Sequence, residues 1–386
     1  MEHDFDKIRP FEEGEMKQAL EQLLADRQFQ VILKGFIPWL PKFMRNGLLR
    51  MAFVGIKTPL QFQKRYIKPV VKRILRKCST GVTFGHDSIQ TGDARYTFVS
   101  NHRDIVLDSA ILSLMLVNNG FDTTVEIAIG DNLLIYPWIK TLVKMNKAFT
   151  VRRGLSPREL LESSQLMSHY MHHAINDKKE NIWIAQREGR AKDSNDLTQE
   201  SVLKMLAMGG EGTPIERLKS LHIVPLTISY EYDPCDYLKA KEFQQKRDNP
   251  AFKKSKQDDL ANMKIGIYGQ KGRVHYEASP CIDTWLDELK DMPRTELYGE
   301  IARRMDKAIH AGYSLYPGNY VACDLLSGTQ EFASHYTVDE KNTFEQYLQS
   351  RLDLIDLENK DVPFLREKIL TMYANPVRNH LKAIEQ

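Results

Sequence analysis

Two residues in the stretch 96–109, read as YTFVSNHRDIVLDS, have the types and spacing for proton transfer: His102 and, six positions on, Asp108. A neutral imidazole takes a proton from an alcohol, while a nearby carboxylate holds its tautomer and stabilises the imidazolium. A histidine after a strand serves equally well as a cap or a packing residue, so residue type alone does not decide. The tripeptide His102-Arg103-Asp104 mimics a protein-kinase catalytic loop. That loop wants Asn where Ser109 stands, and the chain has neither a Gly-rich phosphate loop before it nor Asp-Phe-Gly after it. Kinase chemistry is excluded.

The elements that must position this pair follow from periodicity. Residues 96–99 alternate aromatic and β-branched types and read as a buried strand, which stops at the turn formers Ser100 and Asn101. Further strands are expected over 125–129, 148–151, 182–185 and 223–229, with helices over 109–117, 132–144, 157–175 and 199–208. Ser156, Pro157 and Glu159 signpost the third helix as N-cap, first helical residue and capping-box partner. Such alternation predicts an α/β fold with a mostly parallel central sheet covered by helices. Loops that follow parallel strands gather on one edge of the sheet, where open α/β folds keep their chemistry.

Three of those loops carry candidate site residues. The first holds His102. Arg152 and Arg153 follow the 148–151 strand, and the run Gln186-Arg187-Glu188-Gly189-Arg190 follows the 182–185 strand. Guanidinium groups recognise phosphate bidentately, although a single surface Arg is more often an exposed ion-pair partner. Their shared position after strands favours a common cleft.

The order of these motifs resembles the glycerolipid acyltransferases, meaning the glycerol-3-phosphate and lysophosphatidic acid acyltransferases. Asn-His-x-Asp after a strand, Ala148-Phe149-Thr150-Val151-Arg152-Arg153, Glu188-Gly189-Arg190 and Ile223-Val224-Pro225-Leu226 come in the family's order over about 81–230. The doubled Arg is similar to the glycerol-3-phosphate branch. The resemblance implies His102 as general base and Asp108 as its partner. It implies Arg153, with Arg152 near it, and Arg190 on the acceptor phosphate, Glu188 and Gly189 as the turn that holds the acceptor, and Pro225 in a structural block. The family places four residues between His and Asp. Five intervene here, which leaves Asp104 as a competing partner, and Arg187 stands where the family has Pro. This is a divergent pattern.

Composition bounds the rest. The 386 residues are 42% apolar and 27% charged, with net charge +3, which is ordinary for a globular protein. Cys78, Cys235, Cys281 and Cys323 are far apart and predict neither a disulfide framework nor a zinc site. The start MEHDFDK lacks an apolar core, and the charge-free stretch 109–121 is too short to span a bilayer. Residues 12–29 read as an acidic amphipathic helix. From Lys34 to Lys77 there are 12 Lys or Arg and no acid, interleaved with Phe36, Trp39, Phe43, Met44, Leu48, Met51, Phe53 and Val54. Cations alternating with aromatic and aliphatic side chains suit an interfacial helix on anionic lipid. They also suit a helical cap packed on the main domain, or stacking on single-stranded nucleic acid. The expected partner is a membrane lipid surface through 34–77, with no nucleic acid, on a cytoplasmic protein peripheral to the inner face of the membrane.

The predicted organisation is a membrane-facing helical region over 1–80, an α/β domain over 81–330 and a helical extension over 331–386. In that extension Thr337 with Glu340 opens one helix and residues 363–374 form another, ended before Pro376. Residues 242–259 read as an exposed charged insertion, and 265–268 with 273–277 as a β-hairpin. His169, His172 and His173 share one helix at i, i+3 and i+4, but no acid lies in the same turn, so they read as a solvated face and not a metal site.

The expected activity is one-step transfer of a fatty acyl group to a glycerol hydroxyl of glycerol-3-phosphate or lysophosphatidic acid. No cofactor or metal is expected; the co-substrate is an acyl-CoA or acyl carrier protein thioester. The chain has no G-x-S-x-G elbow that would make an enzyme-bound ester. The alternatives are acyl transfer to another lysolipid such as an amino-acid lipid, a catalytically silent lipid-binding module, and a metal-dependent phosphoesterase built on the three histidines.

Overall fold

The computed structural model describes residues 4–385. Residues 1–3 and 386, at the ends of the first and last predicted segments, lie outside the described residues, as do the side chains of Phe36 and Lys256. Seven strands form one sheet: β1 (Gly81–Gly85), β2 (Thr97–Ser100), β3 (Val125–Gly130), β4 (Ala148–Val151), β5 (Asn181–Ala185), β6 (Ile223–Tyr230) and β7 (Arg273–Ala278), in the order β1-β7-β6-β2-β5-β3-β4. Every neighbouring pair is parallel except β6–β7. The sheet is therefore mostly parallel, as the alternation of strands and helices predicts.

Its central strands are buried on both faces because successive side chains point to opposite sides. Phe98, Trp183 and Val224 join the core under the Leu107–Asn118 helix, with Val71 and Leu75 of the Lys68–Cys78 helix. Val99, Ile182, Ile184 and Ile223 face the other core, built on the Pro157–Asn176 and Arg294–Ala311 helices. Both capping boxes read from sequence form, at Ser156–Glu159 and at Thr337–Glu340.

Several expectations are corrected. The 265–268 segment is the last turn of the Lys256–Tyr268 helix, not a hairpin strand. Its β-branched residues suggested a strand, but fully buried Lys271 donates to the carbonyls of Gly266 (2.5 Å) and Gly269 (2.9 Å), closing the helix end. β7 instead inserts between β1, which had no strand assignment, and β6. The 242–259 stretch is exposed as expected over most of 246–258, but its first residues belong to the Asp236–Asp248 helix, where Glu242 and Gln244 are buried. The last helix runs Val362–Glu385 straight through Pro376, because burying Tyr373, Ala374 and Val377 outweighs one lost hydrogen bond. The 12–29 helix is two helices, Met16–Ala25 and Arg27–Phe36, divided by Asp26, which caps the second through Phe29 N–H (2.9 Å).

The three histidines do not form one solvated face. His172 is buried, its Nε2 on the Leu206 carbonyl (3.1 Å) and its Nδ1 at Ser220 Oγ (3.0 Å). Gly209 and Gly210 leave room for its ring, since a Cβ at either would come within 2.8 Å of it. His173 instead pairs with Asp177 (2.7 Å).

Buried neutral histidines make stability depend on pH. Burial holds both His172 and His310 below the ordinary value of 6.5. The unfolded chain therefore binds protons that the folded chain refuses, so stability is complete above about pH 6.5 and declines as pH falls through the lowered folded values. Acid pairs act in a lower window. Lys192, Lys254 and Lys246 more than offset the burial of Glu242 and hold it at about 2, so its contribution is lost only below 4.5. The raised carboxyls of Asp104, Asp236 and Asp306 act in the opposite sense, so the histidine contribution is read as a difference. Between about pH 6.5 and 5 the urea midpoint of wild type is expected to fall more than that of His172→Gln. Equal falls in the two contradict this.

The basic segment has two faces. Phe62 and Ile56 pack with Met16, Leu23 and partly buried Phe53, and Arg45 turns inward to the Leu40 carbonyl (2.9 Å). On the other side Trp39, Phe43, Met51 and Val54 are exposed, Trp39 by 78% and Phe43 by 75%. Among the described residues no helix is long and apolar enough to cross a membrane.

Candidate active site

β2 delivers its histidine through a fixed turn. Beyond the last strand residue, buried Asn101 imitates a ladder pair: its Nδ2 donates to the Ile228 carbonyl (2.9 Å) and its Oδ1 accepts from Ile228 N–H (2.7 Å). The next residue, His102, sets its ring edge against Trp183, with centroids 5.4 Å apart. That indole is held by its own donation to Ser100 Oγ (3.0 Å). Only 14% of the His102 side chain is exposed.

His102 Nδ1 lies 2.8 Å from Asp108 Oδ2. An ionised carboxylate only accepts, so Nδ1 carries the proton of the neutral ring and Nε2 presents a lone pair. Among the described residues nothing hydrogen-bonds Nε2. Asp108 is wholly buried and fully engaged: Oδ2 also accepts from the backbone of Arg103 (2.7 Å) and Asp104 (3.0 Å), and Oδ1 from the Tyr230 hydroxyl (3.0 Å). It stands in the first turn of the Leu107–Asn118 helix, where exposed N–H groups favour negative charge.

Asp104 does a different job. Its Oδ1 accepts from Val106 and Leu107 N–H (2.8 Å each), capping that same helix. The loop can thus hold five residues between His102 and Asp108, the extra one being taken up by the capping turn. Burial and the Asp108 charge push the Asp104 carboxyl above its ordinary range.

Two tyrosines were not singled out from sequence. Tyr230 ends β6, and Tyr276 of β7 donates to the Asp108 backbone carbonyl (3.0 Å). Within strands they read simply as packing residues, and only the sheet order brings both to Asp108. Burial keeps the Tyr230 hydroxyl protonated far above its usual range, so it acts as a donor. Tyr230→Phe removes one of Asp108's four donors and is expected to lower turnover about tenfold, the worth of one hydrogen bond to a charged group. Unchanged turnover would rule out that role.

The other candidate residues divide. Arg153, beyond the end of β4, reaches across the end of β3 and pairs its Nη1 with Glu188 Oε1, beyond the end of β5. Gly130 at the end of β3 lies in its path, with Arg153 Nε only 3.5 Å from where a Cβ would stand. The Glu188 N–H is held by Gln199 Oε1 (2.8 Å), and Gly189 supplies the left-handed residue (φ +70°) that turns the chain. Since β5 pairs directly with β2, this turn and His102 leave adjacent strand ends.

Arg152 does not join them: it is exposed, and its charge acts on Glu159 at the start of the Pro157–Asn176 helix. Arg190 is half-buried: burial opposes its charge, but Cys235, which it hydrogen-bonds, together with Asp233 and the catalytic-loop residue Asp104, holds it above its ordinary value. Behind the loop, Arg103 lies near Asp196 (3.4 Å) and donates to the Tyr313 hydroxyl (3.2 Å). Among the described residues no metal-ligand grouping falls in this cleft.

An imidazole with a free, basic Nε2, braced by a buried carboxylate and set beside a guanidinium–carboxylate pair, can take a proton from a bound hydroxyl. Residues 82–229 match the family model described as Acyltransferase. No curated protein matches the chain in sequence. Among solved structures, the chain is similar to PlsC, the 1-acyl-sn-glycerophosphate (LPA) acyltransferase of Thermotoga maritima. The two are 14% identical, the match covers 78% of this chain and 99% of that one, and the TM-score is 0.39.

Proposed function

We propose that the chain moves a fatty acyl group from an acyl thioester to a glycerol hydroxyl of a phosphate-bearing acceptor, a reading supported by the match of residues 82–229 to the family model described as Acyltransferase. The acceptor is glycerol-3-phosphate or lysophosphatidic acid, in phospholipid synthesis, and the donor is acyl-CoA or an acyl carrier protein. His102 Nε2 takes the hydroxyl proton, and the oxygen forms a bond to the thioester carbonyl carbon. The tetrahedral oxyanion collapses, the carbon–sulfur bond breaks, and the departing thiolate receives the proton from the imidazolium. The observation that carries this reading is the His102–Asp108 bond, which leaves Nε2 as the sole open basic atom of the ring.

Arg153 is the residue we assign to the acceptor phosphate, with Arg190 as a further candidate and Arg152, exposed beside Glu159, as the least favoured of the three. Glu188 holds Arg153 until an acceptor arrives, and a phosphate would compete for the same guanidinium face. Arg153→Ala is expected to raise the acceptor KM at least about tenfold while leaving the thioester KM unchanged. Equal effects on both substrates would remove Arg153 from the acceptor site. Because Glu188 already neutralises Arg153, an acceptor with a cationic group, such as an amino-acid lysolipid, is the second reading.

A labelled acyl thioester offered with glycerol-3-phosphate, lysophosphatidic acid and lyso-amino-acid lipids separates these. Product on the first two supports the main reading. Product on the last alone supports the second, and none with any acceptor leaves a lipid-binding module.

We assign the exposed face of 34–77 to an anionic lipid surface. Trp39, Phe43 and Met51 would enter the headgroup region, and the interspersed cations would meet lipid phosphate. Burial and the neighbouring charges of Lys72 and Lys64 hold Lys68 below its ordinary value, a crowding that anionic lipid would relieve.

A further inference from the structure

The edge of the sheet opposite the catalytic loops carries a second group of side chains. β6 runs antiparallel to β7, so the start of β6 and the segment after β7 lie together. Ser279 N–H donates to the Pro225 carbonyl (3.0 Å), and Asp283, in the Ile282–Thr284 3-10 turn, reaches His222. One ligand atom from each of His222, Cys281 and Asp283 lies within 4.8 Å of the others. We propose that these three side chains bind a borderline-soft divalent cation of the Zn²⁺ type, with water completing the tetrahedron.

Four observations support the site. The donor set is one imidazole nitrogen, one sulfur and one carboxylate oxygen, which suits Zn²⁺ and not the all-oxygen cations Ca²⁺ or Mg²⁺. His222 Nδ1 is already 2.7 Å from Asp283 Oδ2, so imidazole and carboxylate are oriented toward one another. Asp283 Oδ1 is buried with no nitrogen or oxygen donor on it among the described residues, and the Cys281 thiol, which burial pushes up to about 12, hydrogen-bonds the same carboxylate. Sulfur and carboxylate thus face one another where a cation would replace the thiol proton. His222 takes a left-handed backbone (φ +46°), as Lys147 and Lys179 do just before β4 and β5, and this turn sets it at the head of β6 beside the other two ligands.

Ligands of a tetrahedral Zn²⁺ at about 2.0–2.3 Å sit roughly 3.3–3.8 Å apart. The ion would therefore replace the 2.7 Å His222–Asp283 hydrogen bond, moving those two atoms apart while the Cys281 sulfur closes in. His222 is exposed and the other two are half-buried, so the site is open to solvent. Binding converts the Cys281 thiol to thiolate, and the proton leaves to solvent. The cation would clamp the start of β6 to the segment after β7. β6 has eight residues, which sets the clamp about 25 Å from the catalytic end of the strand. It therefore serves stability and not the transfer step. Sequence spacing hides it: 59 and 61 positions separate His222 from Cys281 and Asp283.

The test is titration of the chelator-treated full-length protein with Co²⁺, then competition with Zn²⁺. The expected result is a saturable thiolate-to-cobalt charge-transfer band at one ion per chain, displaced by Zn²⁺, with a Zn²⁺-dependent rise in Tm. Cys281→Ser is expected to lose the band. His222→Gln, at an exposed position that tolerates change, is expected to weaken Zn²⁺ binding about tenfold or more while acyl transfer stays within about twofold of wild type. Absence of the band in folded wild-type protein overturns the proposal. So does Zn²⁺ binding of equal strength in wild type and His222→Gln, which would mark adventitious binding elsewhere.

Discussion

His102→Ala is expected to lower acyl transfer by about two to four orders of magnitude, the usual worth of a positioned general base. Removing the largely buried ring takes one donor from Asp108, a cost of about 1–3 kcal/mol, but Asn101 still bridges β2 to β6 and Asp108 keeps three donors. The variant should therefore fold with a modestly lower urea midpoint, and thioester binding should persist. A loss under about tenfold in a folded variant would mean that the hydroxyl proton leaves by another route.

Asp108→Asn is the second large effect, expected at about two to four orders of magnitude in kcat. Every atom around this carboxylate is a donor: His102 Nδ1–H, two backbone N–H groups and the Tyr230 hydroxyl. An amide brings an NH₂ of its own into that shell. It either leaves donors facing donors or turns the His102 ring to the tautomer with hydrogen on Nε2, where no base remains. The contrast with Tyr230→Phe is informative, since that change removes one donor and leaves the charge in place. If Asp108→Asn and Tyr230→Phe lose turnover equally, the carboxylate charge is not what counts.

Much of this architecture was legible in residue pattern. β4 was read with its exact bounds, and β2, β3, β5 and β6 to within a residue at each end, because buried parallel strands concentrate β-branched and aromatic residues between turn formers. The meeting of His102 with Asp108 is local, six positions apart across a loop and a helix start. What sequence concealed was non-local. Tyr230 and Tyr276 reach Asp108 only because β6 and β7 lie beside β2, an order that no periodicity records.

Arg190 is legible only by its place after β5, which suggests the cleft; the groups that hold its charge, Cys235, Asp233 and Asp104, are non-local and leave no trace in sequence spacing. Arg152 alternates to the exposed side of the strand end by the two-residue period itself. The buried Lys271 that closes a helix end, and the packing that carries a helix through Pro376, are tertiary effects that override local preference.

The central claim is that neutral His102 keeps its proton on Nδ1, bonded to Asp108, and offers Nε2 to the substrate. Nitrogen NMR of ¹⁵N-histidine-labelled protein in mildly alkaline buffer reads this directly, with the His102 signals identified by their loss in His102→Ala. The account predicts a protonated Nδ1 and an unprotonated Nε2, with that tautomer preference lost in Asp108→Asn. A proton found on Nε2, or nitrogen shifts that ignore Asp108→Asn, would contradict it.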